Sequence, residues 1–152
     1  MSSRLFQRVR EELGAAYYVR ADDSLLTDHG FFSVSSGIDH QKLKVVVEAI
    51  LGELKKIASA PVAAEELRKS KNHLGGKLLI GLETSDELAS FYGEQEIFKD
   101  KIMDPKEVVK AIEAVTAKDI LGVAKDLVKD SGLNLALIGP FKELPKDIKL
   151  RF

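Results

Sequence analysis

At 152 residues with 45% hydrophobic content, the chain can bury one core of ordinary domain size and is too short for two, so residues 1–152 are read as a single domain. Its 23 Lys and Arg nearly cancel 24 Asp and Glu, leaving a net charge of -1 without a long block of one sign. It therefore lacks the surplus of positive charge that phosphate binding requires, and no nucleic-acid partner is expected. With no cysteine, disulfides and thiolate metal sites are excluded, and no run is apolar for long enough to span a bilayer or form a signal peptide. A cytoplasmic chain without a membrane partner is expected.

In chain order, Leu5, Val9 and Leu13 recur every four residues, with Phe6 widening the stripe, which predicts a short amphipathic helix over 3–13 stopped by Gly14. The segment 15–26 is rich in aromatic and β-branched residues. Asp28-His29-Gly30 supplies a turn into 31–38, so an antiparallel hairpin is expected. On its second strand Phe32, Val34 and Ile38 point one way while Ser33, Ser35 and Gly37 point the other, giving one face for packing and one small polar face.

After Asp39 the period becomes helical, with Leu43, Val46, Val47, Ile50, Leu54 and Ile57 on one side. Pro61 opens a further helix toward Leu79. Three later helix starts carry a short polar residue and a carboxylate three positions on: Thr84 with Glu87, Asp104 with Glu107, and Thr116 with Asp119. Gly132 is read as the end of the last helix, Leu133–Ile138 as a buried strand closed by Gly139-Pro140, and 141–152 as loop with room for a short edge strand. The order predicts an α+β fold, an antiparallel sheet with helices packed on one face. Three strands are few for so many helices, which points to strands that are missing or supplied by another chain.

Local chemistry is sparse. His29, His40 and His73 fall on a turn, before a helix and inside a helix, and share no helical face, whereas zinc needs three or four converging ligands. No metal site is expected. No G-x-S-x-G elbow or phosphate-binding glycine loop is present, and Gly75-Gly76 is better explained by a close helix–sheet contact or a kink. The acid pairs Glu65-Glu66 and Asp22-Asp23 read as a helix N-terminal turn and a solvated loop. No catalytic residue is assigned.

The run Ser2-Ser3-Arg4-Leu5-Phe6-Gln7-Arg8-Val9-Arg10-Glu11-Glu12-Leu13-Gly14-Ala15-Ala16-Tyr17 resembles a segment in the C-terminal domains of the insulinase, pitrilysin and mitochondrial processing peptidase family of zinc peptidases. The likeness continues through Ser36-Gly37-Ile38-Asp39, Glu65-Glu66-Leu67, Ala89–Gln95, Val115–Ile120 and Leu135–Pro140, nearly the whole chain in order. It implies half of an inverzincin-type peptidase fold. The family's catalytic half holds zinc through H-x-x-E-H, absent here, so the chain should bind no cofactor itself, with zinc in a partner domain or subunit.

The resemblance further implies that Arg10 and Tyr17 bind substrate backbone and carbonyl groups, and Ser33, Ser35 and Gly37 would line the same peptide chamber. Arg10 lies off the Leu5, Val9, Leu13 stripe and is free to face a cavity. The residues alone allow a plainer reading, in which Arg10 pairs with a nearby acid and Tyr17 packs in the sheet. The family domain begins with strands and a helix ahead of this segment, so a domain lacking its leading strands is expected. The function implied is the substrate-binding, non-catalytic portion of a zinc peptidase, acting on a peptide or unfolded polypeptide with an H-x-x-E-H partner. The alternative is a stand-alone peptide-binding or assembly module that forms a homodimer through an open sheet edge.

Overall fold

The four-residue spacing of Leu5, Val9 and Leu13 does produce a helix, but of the wider π type. In the computed structural model, which describes residues 3–141, 143, 145 and 148–152, Phe6–Glu12 is π-helical. The Leu13 N–H donates to the Arg8 carbonyl at 3.2 Å, the five-residue step of a π-turn. Val9 is fully buried and Gly14 ends the helix at φ 51°, in the left-handed region that a residue with a Cβ enters only at a cost. Lys42 clasps the turn by donating from Nζ to the Gly14 carbonyl at 2.9 Å.

The hairpin forms as expected from its β-branched and aromatic content. Strand β1 (Ala16–Leu25) pairs antiparallel with β2 (Gly30–Ile38), from Ala16 opposite Ile38 to Leu25 opposite Gly30, with a bulge between Ala16 and Tyr18. Helix α1 (Leu43–Ser59) buries Leu43, Val46, Val47 and Leu51, one face of its 3.6-residue period. Each such side chain contributes roughly 1.5–3 kcal/mol when fully buried. Val46 packs with Val9 and Ala15, and Ala16, Val19 and Ile38 of the hairpin close over them. Leu43, Val47 and Leu51 form a second cluster with Ile38, Leu133, Leu135, Leu137, Phe141, Ile148, Leu150 and Phe152.

These clusters belong to a unit of Met1–Ala60 and Leu121–Phe152; Pro61–Ile120 forms the other. In the latter, α2 (Ala64–Ile80) starts three residues past Pro61, and α3 (Ser85–Phe98) and α4 (Pro105–Ala114) follow. Both carboxylate capping boxes form at Thr84 with Glu87 and at Asp104 with Glu107, and Thr116 with Asp119 caps α5 (Ala117–Leu127) in the same way. Gln95, only 3% exposed, fastens the loop after α3. Its amide nitrogen donates to the Phe91 and Met103 carbonyls at 3.3 and 3.2 Å, and its oxygen accepts from the Met103 N–H at 3.0 Å.

The architecture is α+β, an antiparallel sheet with helices, and several local expectations need correction. Helix α5 ends at Leu127, and Gly132 instead closes a short 3-10 turn, Asp130–Gly132. Leu133–Ile138 is no strand: its alternate residues Leu133, Leu135 and Leu137 do pack inward, but among the described residues the sheet contains only β1 and β2. Side-chain alternation reports which way residues face; a strand also requires a neighbour to take its hydrogen bonds. No edge strand forms among the described residues of 141–152; residues 142, 144, 146 and 147 of that expectation lie outside them. Gly75 meets a helix, not a sheet: a Cβ there would lie 3.7 Å from Val109 of α4.

Candidate peptide-binding site

The residues singled out from the sequence fall on two backbone irregularities. Arg10 lies in the π-helix, and its guanidinium sits over the Phe6 ring, 4.9 Å from the centroid. Tyr17 occupies the β-bulge and is 87% exposed. A bulge inserts one unpaired residue and turns its side chain away from the regular pleat. The plainer alternative is not what the structure has, since Arg10 contacts a ring in place of an acid and Tyr17 is not packed in the sheet. The bulge is held from the neighbouring strand by Ser36, whose hydroxyl donates to the Tyr18 carbonyl at 2.9 Å.

Ser33, Ser35 and Gly37 share one face of the hairpin, as their alternation requires, and their cross-strand partners are Asp22, Arg20 and Tyr18. Those three partners were not singled out from the sequence. Asp22 was read with Asp23 as a solvated loop, yet both lie within β1, and Asp22 pairs with Arg20 two residues back on the same face. The pair is bidentate, with Arg20 Nε and Nη2 donating to the two Asp22 oxygens at 2.7 and 2.9 Å. The Arg20 hydrogen bond holds the Asp22 carboxyl below the usual carboxylate range. Opposite charges at i and i+2 in a strand were the available signal.

Gly37 is small for a reason on the page. A Cβ there would come within 2.5 Å of the Tyr18 ring, which lies across it. The polar face thus presents two serine hydroxyls, a fixed ion pair and a phenol laid over glycine. Among the described residues no hydrogen bond, ion pair or ring contact links Arg10 with Tyr17, or either of them with Ser33, Ser35 or Gly37.

The three histidines lie on three different elements. His29 is hydrogen-bonded to Asp28 in the hairpin turn, His40 lies beside Asp39 ahead of α1, and His73 is exposed on α2. Among the described residues no three His, Asp or Glu converge as a metal requires.

Comparison with known proteins bears on the same segment. The family described as Peptidase M16 inactive domain matches residues 1–74. An uncharacterised zinc protease of Bacillus subtilis is 32% identical over 95% of this chain and 35% of its own length. One from Streptomyces coelicolor is 32% identical over 94% and 31%. The chain thus spans about a third of the length of the curated relatives it matches. In fold it resembles a chain of complex III2 from Candida albicans, with a TM-score of 0.75 at 18% identity, covering 86% of this chain and 31% of that one. It also resembles a protease from Helicobacter pylori, with a TM-score of 0.67 at 21% identity, covering 86% and 32%. The motif order, the family match and the likeness in fold point the same way: residues 1–74 match the inactive-domain model of the M16 peptidases, and the chain is similar along almost its whole length to about a third of each of these zinc proteases.

Proposed function

We propose that residues 1–152 act as one domain, the substrate-gripping portion of a zinc endopeptidase, in which a separate H-x-x-E-H domain or subunit performs hydrolysis. The observation that carries this reading is the coincidence of Arg10 with a π-helix and Tyr17 with a β-bulge, two distortions that recur at functional sites. Both side chains are exposed. The Arg10 guanidinium is a fork of donors suited to a peptide carbonyl or terminal carboxylate, and the Tyr17 phenol adds one more donor. Ser33 and Ser35 offer hydroxyls to an extended peptide, and Gly37 leaves room beside them. The relatives are zinc proteases three times as long, which supports a catalytic partner for this portion. We place its action in the cytoplasm; no helix among the described residues is long and apolar enough to cross a membrane.

The test is peptide capture without cleavage. Incubated with zinc and an unstructured peptide, the chain alone should leave the peptide intact while binding it, and Arg10→Ala should weaken binding about tenfold, the loss of one charge-assisted hydrogen bond. Its melting temperature should hardly move, because Arg10 is exposed. Cleavage by the isolated chain, or unchanged binding by the variant, would refute the assignment.

One observation favours a second reading, an assembly module that homodimerises. Leu133, Leu135 and Leu137 pack inward, yet among the described residues no backbone hydrogen bond involves 134–138. Unpaired backbone of this kind can add as a strand to another chain. A dimer in sedimentation equilibrium whose 134–138 amides are protected from exchange would favour that reading; a monomer with those amides unprotected would exclude it.

A further inference from the structure

Three arginines near the candidate site are held in two different ways. Arg8 donates to Glu12 at 2.7 Å, and Arg20 grips Asp22 through two bonds, so both spend N–H donors on a carboxylate of their own chain. Arg10 is followed directly by two acids, Glu11 and Glu12, yet it rests on the face of Phe6, four residues earlier and on the adjoining turn. A carboxylate would have occupied the fork that a ligand needs. A ring face attracts the cation through its quadrupole and takes no N–H bond, so the guanidinium is oriented while its five donors stay open.

We propose that Phe6 is a positioning residue for Arg10: it holds the guanidinium in place for a peptide carbonyl or carboxylate. This rests on the reading of Arg10 given above. A free arginine samples many rotamers, and the entropy of ordering it subtracts from affinity; a ring that orders it beforehand reduces that loss. Phe6 is half-buried and so can serve as a base for an exposed partner. Residues four apart on a helix lie beside each other, and this one uses that spacing twice, as Phe6 with Arg10 and as Arg8 with Glu12.

The experiment measures binding of a fluorescein-labelled, unstructured peptide of mixed sequence by anisotropy, with melting temperatures in parallel. Phe6→Leu keeps the apolar bulk and removes the ring, and should weaken binding about two- to fivefold. Phe6→Trp, with a stronger ring face, should bind at least as well as the parent. In an Arg10→Ala background Phe6→Leu should have no further effect on binding, which a merely structural role would not produce. If Arg10→Ala weakens binding and Phe6→Leu does not, the positioning role falls and the substrate role of Arg10 stands. If Phe6→Leu is equally harmful with or without Arg10, Phe6 acts on its own and the proposal is overturned. If Arg10→Ala itself changes nothing, the substrate reading fails and this inference fails with it.

Discussion

Gln95 illustrates how a single side chain can organise a loop. Nearly all its hydrogen-bonding capacity is spent on Phe91 and Met103, and the site is closed to water. Gln95→Ala leaves the Met103 N–H buried without its acceptor and should destabilise the fold by roughly 1–3 kcal/mol, read from the denaturant midpoint. Gly75 makes the opposite case. It sits mid-helix in α2, and a Cβ would meet Val109 at 3.7 and 3.9 Å, ordinary contact. Gly75→Ala should therefore raise stability by about 0.5–1 kcal/mol in the same measurement, through helix propensity and reduced freedom of the unfolded chain. Gly37 allows no such change, since the Tyr18 ring occupies the space a side chain would need.

At the scale of elements, the helix caps were legible from sequence because they are local. A polar side chain and a carboxylate three residues on can reach each other only when the first turn forms, so Thr84, Asp104 and Thr116 needed no tertiary information. Asp119 accepts from the Thr116 backbone N–H at 2.8 Å and from its hydroxyl at 2.7 Å, and these bonds hold its carboxyl below the usual aspartate range. A depressed folded-state pKa means that the stabilisation is complete above the unfolded value of about 3.9 and is lost as pH falls through the lower folded value. NMR titration should find the Asp119 midpoint below about 3.9, and Thr116→Ala should move it upward toward that value. The element most misjudged was Leu133–Ile138, read as a strand and found as none, while the first helix was right in place and differed only in type. Leu5, Val9 and Leu13 fit an α-helix and a π-helix alike, and in the fold Val9 and Ala15 pack with Val46 of α1.

For the whole molecule, the conspicuous property is how much apolar surface faces water. Tyr17, Leu25, Phe31, Ile80, Ile97, Phe98 and Ile138 are all more than half exposed, the last at 105%. The isolated chain should accordingly bind a hydrophobic dye such as ANS strongly at neutral pH while keeping a cooperative melt. Absence of dye binding would mean that copies of the chain already cover these faces. The residues themselves determined the hairpin, the α1 stripe, the capped helices and the family resemblance, because periodicity, turn chemistry and ordered motifs are properties of neighbours along the chain. Tertiary structure decided the rest: the π-helix around Arg10, the bulge at Tyr17, and the failure of Leu133–Ile138 to become a strand. Each depends on a partner distant in sequence or on the absence of one, and a backbone takes its final hydrogen bonds from whatever the folded chain sets beside it.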